Sequence, residues 1–523
     1  MNHSLFASWP AGRKENRLKT LLIALCLLSL PFFSFHRIDR SLWLDEANSV
    51  YIAGNNPCEV VDRLRNDSSP PLYYWILSGW INLFGIGETS VRGLSGVFYI
   101  LSVFAVFYLG KSIYDSDTGL VASFLYLLSS VVIRNAQNAR MYSLLGLLEI
   151  LSVLLFFHLF LADKGSRKGL AAFVLINILG TFTHYWFFFI LLAQTAVCCF
   201  LARADLKKFL LVALISTAPF FLFWGPLLFQ QMQHGSASWM WKPTFYEAVP
   251  KTLMDFYNNR FSLFANDNER VALGIYVICF FLIGFKVDES GLGLQSFSVL
   301  RGHFLKKENL AVAIFLVAIL AVPYLVSQIR PIFFVGRYTI IDVLPVVLLL
   351  SSFLVAFANR RLLLIGCYVL FSLVTSSFAV QSTNTEQHSD KATAHYLARH
   401  GRDGDVILFT GLSQVTIDYY FKLLQPHQSF VKMVFPREIS SHFGWRDVQE
   451  MLSRREQLES EADEVIALLK KKLDDGAGRI WFFNGYDTEI VDLLRKRMDE
   501  SFTLVEEKDL RGPPYKSVLV YVR

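Results

Sequence analysis

The stretch ENLAVAIFLVAILAVPYLV, residues 308–326, has one acid at its start and no other charge. A helix of that length rises about 1.5 Å per residue and nearly crosses the roughly 30 Å apolar layer of a bilayer. Its apolar residues run on without the polar stripe that a water-facing helix keeps. LKTLLIALCLLSLPFFSF (18–35) and RLLLIGCYVLFSLVTSSFAV (361–380) read the same way. Working outward from these, hydropathy predicts about eleven spans. They fall near 18–36, 91–110, 119–133, 142–162, 169–183, 185–202, 208–229, 271–286, 310–327, 339–357 and 361–380, with 169–202 readable as one hairpin or a broken pair. The chain is expected to be a polytopic α-helical membrane protein.

Composition agrees. Of 523 residues 53% are hydrophobic and 18% charged, against about 25% charged in soluble proteins. The charges divide the chain. Residues after 380 hold 20 Lys+Arg and 23 Asp+Glu, and those before hold 30 and 21. A boundary is therefore expected near 381, between a membrane domain (1–380) and a C-terminal soluble α/β domain (381–523). The net charge of +6 is no argument for nucleic acid, because the bases lie in short loops between spans. Five of six cysteines sit in apolar runs and Cys58 is alone in a polar loop, so no disulfide framework or CxxC metal site can be drawn. The first apolar run lacks a small-residue cleavage site and reads as a retained anchor.

Lysine and arginine set the orientation. With RKENRLK inside, the basic connections Lys111, DKGSRK (163–168), RADLKK (203–208), 286–309 and NRR (359–361) also fall inside, as the positive-inside rule asks. The outside then receives 37–90, RNAQNAR, THYW, 230–270 and QIRPIFFVGR, and the tail. PPLYYWILSGWINLFG (70–85) is short for a span, and counting it would invert every later loop. It is expected to be an interfacial helix begun by Pro70 and Pro71. In the tail, DVILFT (405–410), RIWFFN (479–484) and SVLVYVR (517–523) read as strands, and 445–473 and 488–498 as helices. That alternation predicts an open, mostly parallel sheet, with no nucleotide motif.

The informative polar residues gather on the expected outer side. SLWLDEANSV (41–50) holds adjacent carboxylates, Asp45 and Glu46, beside Trp43 and Leu44. Such a pair suits a general base; equally, acids belong in a first helical turn. In RNAQNARMY (134–142) two arginines stand outside, against the trend. A guanidinium offers paired donors to a phosphate. Arg134 reads as an interfacial snorkeller, whereas Arg140, with Gln137 and Tyr142 close by, reads as the anion ligand. His184 and Tyr185 of FTHYW suit a phosphate or an aromatic belt equally. RPIFFVGRY (330–338) adds Arg330, Arg337 and Tyr338, and the 230–270 loop offers Lys242, Lys251 and Arg260.

The order LWLDEA, PPLYYW, LFGIGETSVRGLSG, QNARMY, THYW and GRY…P over residues 20–350 resembles bacterial family-39-like GT-C glycosyltransferases. That superfamily includes protein O-mannosyltransferases and the aminoarabinose transferase acting on lipid A. The resemblance implies an inverting transfer from a polyprenyl-phosphate sugar to an envelope acceptor (lipid, glycan or protein) at the periplasmic face of a bacterial inner membrane. It implies Asp45 as base with Glu46 in support, Arg140 and Arg337 on the carrier phosphate with His184, and Tyr142, Tyr185, Tyr338 and Gln137 around the pocket. Glu88 and Arg92 match a pattern read as structural. Many relatives carry His or Lys where Ser69 stands, and Gln-Glu-Ala-Arg where residues 137–140 read Gln-Asn-Ala-Arg. No cofactor is fixed by these residues; a divalent metal held by Asp45 and Glu46 is the one candidate, although no dedicated cage is visible. Membrane lipid is the implied surroundings. A transporter or flippase of lipid-linked sugar would place its ionisable residues near the midplane, and an inactive member would only bind envelope glycan.

Overall fold

The structure is a computed structural model. It describes residues 23–523 except 25–26, 37, 55, 66, 163–164, 234–239, 258–268, 289–290, 333–335, 360–362, 364–365, 373, 375–389, 412, 441–447, 477, 486–487 and 511–514. Arg260 and the N-terminal RKENRLK lie outside the described residues. The chain divides into two compact units, each built from three chain segments.

The first unit comprises Met1–His36, Arg92–Gly225 and Met240–Gln381. Among the described residues, helical segments fall within the predicted spans. Among the described residues, five helices are long and apolar enough to cross a membrane: Glu88–Ile113, Tyr142–Leu161, Arg203–Phe223, Lys307–Ile329 and Tyr338–Phe357. This is a multi-pass membrane protein. The 169–202 stretch resolves as two helices, Arg167–Thr181 and Phe187–Leu201. The predicted span 208–229 ends at Phe223, and a separate helix, Gly225–Gln233, follows. The expected loop 286–309 holds a short hairpin, Phe285–Asp288 with Gly291–Leu294, and a helix, Phe297–Phe304.

The predicted span at 119–133 departs most from a straight rod. Ser116–Leu127 and Ser130–Ala136 meet at 64°, with neither proline nor glycine at the bend. A break inside lipid exposes peptide groups that cost several kcal/mol each if left unpaired, and here they are met from elsewhere. The Tyr99 hydroxyl donates to Leu127 O at 2.8 Å and the Tyr257 hydroxyl to Leu125 O at 3.4 Å. Ser130 N and Ser129 Oγ both donate to Phe256 O, at 2.7 and 2.9 Å. Just upstream, helices Glu88–Ile113 and Ser116–Leu127 pass backbone to backbone. A Cβ on Gly110 would lie 2.7 Å from Gly119 Cα, and one on Gly119 2.6 Å from Phe107 O. Small residues are what let apolar helices approach so closely.

The second unit comprises Arg37–Val91, Pro226–Trp239 and Ser382–Arg523, so residues 37–91 group with the tail. They form helices Leu44–Ala53, Pro57–Leu64 and Leu72–Phe84. Side chains clasp the loop together. Trp75 Nε1 donates to Pro57 O (3.1 Å), Ser78 Oγ to Gly54 O (3.4 Å) and Gln231 Nε2 to Leu64 O (2.7 Å). Glu88 pairs with Lys391 at 2.8 Å.

The tail's sheet has five strands in the order Val431–Phe435, Val406–Thr410, Ile480–Gly485, Tyr515–Val522, Thr503–Lys508. The first three are parallel and the last two join antiparallel. The sheet is therefore mixed, not mostly parallel. The chain between Lys508 and Tyr515 is too short for a helical crossover, so the final pair closes as a hairpin. Asp405 knits the parallel side: it is fully buried and accepts from Trp481 Nε1 (2.9 Å) and Arg479 Nη2 (3.1 Å). The helix expected over 445–473 appears as Val448–Ser453 and Arg455–Asp474, interrupted at Arg454.

Candidate functional site

In the second unit the two carboxylates part company. Helix Leu44–Ala53 begins after Trp43 and puts Asp45 and Glu46 in its first turn, where carboxylates favour the positive helix end. Glu46 is fully buried and its Oε2 accepts from Trp43 N at 3.3 Å. That is the reach-back of a third-position acid to the residue that starts the helix. Asp45 is half-buried, and its own carbonyl accepts from Ser49 Oγ at 2.9 Å. Glu46 secures the helix end and Asp45 is the more accessible carboxylate. Among the described residues no three His, Cys, Asp or Glu side chains converge as a metal cage needs. With one Glu46 oxygen engaged in capping, the pair is a poor fit for a divalent ion.

In the first unit, loops at the ends of three helices converge. Arg140 is 9% exposed and lies just before helix Tyr142–Phe156. The ring of Tyr142 lies 5.8 Å from His184 and 6.1 Å from Tyr338, and His184 lies 5.0 Å from Tyr338. Trp186 joins them, 5.3 Å from Tyr338. Three residues expected from sequence are thus neighbours, and Trp186, not singled out there although it ends the THYW motif, completes an aromatic wall.

His184 has a defined state. Its Nδ1 accepts from Trp186 N at 3.1 Å, so the ring proton resides on Nε2. Burial, and then the nearby Arg140 guanidinium, push its pKa down to about 3. The imidazole is neutral at physiological pH and acts as a hydrogen-bond donor, not a second cation.

Two expected pocket residues serve other ends. Gln137 donates to Phe33 O at 2.7 Å, tying its loop to the first helix. Tyr185 accepts from Trp224 Nε1 at 3.0 Å and packs on Phe220, 6.0 Å away. Arg337 is half-buried and opens the turn Tyr338–Asp342.

Arg134 corrects its sequence reading. It does not snorkel but pairs with Asp255 at 2.7 Å, the side chains 18% and 7% exposed. Asp255 was not anticipated; the signal was a lone acid in the MDFY segment of an outer loop, the natural partner for an arginine against the charge trend. Gly336, with φ +82°, lies directly over this pair. A Cβ there would come within 2.6 Å of Asp255 Oδ2 and 3.3 Å of Arg134 Nη2. The ion pair and the left-handed glycine together place the turn that carries Arg337 and Tyr338. Deeper in the unit, Glu149 and Asp342 are each 1% exposed and near enough to feel one another's charge.

Bundle and site geometry define the class: a multi-pass α-helical membrane protein whose interhelical loops gather polar and aromatic side chains. More particularly, residues 68–227 match the dolichyl-phosphate-mannose-protein mannosyltransferase family. Among solved structures, the chain is similar to ArnT from Cupriavidus metallidurans in the apo state, with TM-score 0.60, 12% identity, and 97% of this chain and 98% of that one covered. The same protein bound to undecaprenyl phosphate superposes with TM-score 0.57 at 12% identity, over 96% and 97% of the chains. The Archaeoglobus fulgidus oligosaccharyltransferase, in complex with Zn and sulfate, superposes with TM-score 0.52 at 12% identity over 96% of this chain and 73% of that one. No curated protein matches by sequence.

Proposed function

We propose that this protein is an inverting glycosyltransferase that moves a sugar from a polyprenyl-phosphate carrier to a hydroxyl acceptor of the envelope. The acceptor O–H gives its proton to the Asp45 carboxylate as the oxygen attacks the anomeric carbon. The bond from that carbon to the phosphate oxygen breaks, and the carrier leaves as the lipid phosphate. Arg140 and Arg337 neutralise charge growing on the leaving phosphate, and neutral His184 donates from Nε2. Tyr142, Trp186 and Tyr338 supply an apolar wall from which water is excluded. Glu46 keeps Asp45 in place by fixing its helix end, and no step needs a metal.

One observation carries this reading: Arg140 and the neutral His184 stand together within a wall of aromatic rings on converging loops. Such an arrangement suits an anion, offering a second donor without a second charge. The likeness to a protein bound to undecaprenyl phosphate supports a lipid-phosphate donor. The positive-inside pattern supports eleven spans with the N-terminus inside and the tail and site outside, in a bacterial inner membrane.

The test is transfer in proteoliposomes from a panel of labelled polyprenyl-phosphate sugars to envelope extract, comparing wild type with Asp45→Asn. Label passing from carrier to acceptor with wild type, and at least about 10²-fold more slowly with the variant, supports the transferase. Intact carrier crossing the bilayer equally well with both proteins would replace it with transport.

A further inference from the structure

The acid helix does not hold itself in place. Its first residue follows Ser41, Leu42 and Trp43, and whatever fixes those three fixes where Asp45 points. Leu42 N donates to the Tyr420 hydroxyl at 2.7 Å. That hydroxyl in turn donates to Ser41 Oγ at 3.2 Å. Ser41 Oγ donates to Leu42 O and also accepts from Lys391 N, each at 3.3 Å. Donors and acceptors therefore close on one another, and both Leu42 and Tyr420 are 1% exposed. The buried setting makes each bond count more than it would in water.

Tyr420 belongs to helix Gln414–Leu424 of the tail, inside the same unit as the acid helix. Its neighbour Tyr419 reaches a different target, Ile86 O at 2.8 Å. The two hydroxyls, one residue apart, thus tie down opposite ends of residues 37–91.

We propose that Tyr420 is a positioning residue for Asp45: its hydroxyl fixes the backbone at Leu42 and thereby the carboxylate three residues on. This rests on the reading of Asp45 as the base. The soluble tail then contributes to the chemical step without touching substrate. Small errors in placing a catalytic group lower rate steeply, whereas donor binding by the first unit does not depend on this bond.

Tyr420→Phe removes the hydroxyl and keeps the ring, and Tyr419→Phe is its matched control. In the proteoliposome assay, with the carrier sugar that wild type uses, Tyr420→Phe should lower kcat by about tenfold or more. Donor KM should stay within about twofold, as expected when only transition-state interactions are lost. Tyr419→Phe should leave kcat near wild type. Hydrogen exchange over residues 41–47 should quicken in Tyr420→Phe and not in Tyr419→Phe. Ser41→Ala, which removes the hydroxyl's acceptor, should lower kcat non-additively with Tyr420→Phe, a second route should one variant fold poorly. Unchanged kcat in Tyr420→Phe, a change in KM alone, or equal losses in both tyrosine variants would overturn the proposal. No transfer by wild type from any donor would sink the transferase reading and this role with it. The exchange data would then still show whether the tie exists.

Discussion

At the scale of single residues, Gly336 is tightly constrained beside Arg134 and Asp255. Alanine there meets both a left-handed backbone and the Asp255 carboxylate. The strain alone costs about 1–3 kcal/mol. We expect Gly336→Ala to lower the melting temperature and to raise donor KM, since Arg337 and Tyr338 follow directly. Removing the ion-pair partner by Asp255→Ala takes a carboxylate from the largely buried Arg134 and loses a charged hydrogen bond of about 1.5–3 kcal/mol; a melting temperature equal to wild type would show the pair is idle. His184 makes a pH prediction. Its folded pKa, pushed down to about 3, lies below the ordinary 6.5, so the unfolded chain binds the extra proton between those values. The His184 contribution to stability is fully present above about pH 6.5 and is lost progressively as the pH falls below it. In a thermal scan from pH 7 to 5, His184→Gln should show a flatter loss than wild type.

At the scale of elements, the bent pair and the glycine crossing are the vulnerable joints. Gly119→Val forces apart helices whose backbones nearly touch, and we expect it to abolish the folded protein in detergent, whereas Gly79→Val, where a Cβ meets nothing within 4 Å, is tolerated. Such elements differed in how plainly the chain announces them. Apolar spans are legible because lipid demands continuous apolar runs with every peptide group paired internally. The bend at residues 128–129 was illegible, because its cause is Tyr99, Phe256 and Tyr257, remote in sequence and ordinary in composition. Strand Thr503–Lys508 was missed because TLVEEK lies at a sheet edge and is mostly exposed, so it lacks the apolar alternation of a half-buried strand. Asp45, Arg140, His184, Tyr142 and Tyr338 could be singled out as polar or aromatic groups at span ends that the charge pattern predicts to face outward. Asp255 left only the faint signal of an acid able to pair with Arg134, and Gly336 left none, since its meaning arises only where its turn meets a pair whose partners lie 121 residues apart in sequence.

At the scale of the whole molecule, the division into units matters more than the boundary at 381. Residues 37–91 share a unit with the tail, and their ties run through Tyr419, Tyr420 and Lys391. A chain ending near 381 should therefore lose more than its sheet. We expect limited proteolysis of that truncation to cleave within 37–91 where the full chain resists, while the helices of the first unit stay protected. Protection of 37–91 in the truncated protein would show that the loop folds by itself.

The bond from Leu42 to Tyr420 joins residues 378 positions apart. A nascent chain delivers the acid loop long before its anchor is synthesised, with most of the membrane helices made in between. Contacts so distant in sequence form slowly, and the interval leaves apolar surface open to wrong partners. Under the proposed mechanism, the acid loop gains its anchor only once helix Gln414–Leu424 has been made. An incomplete chain, however well inserted, would hold residues 37–91 without the ties that Tyr419, Tyr420 and Lys391 supply.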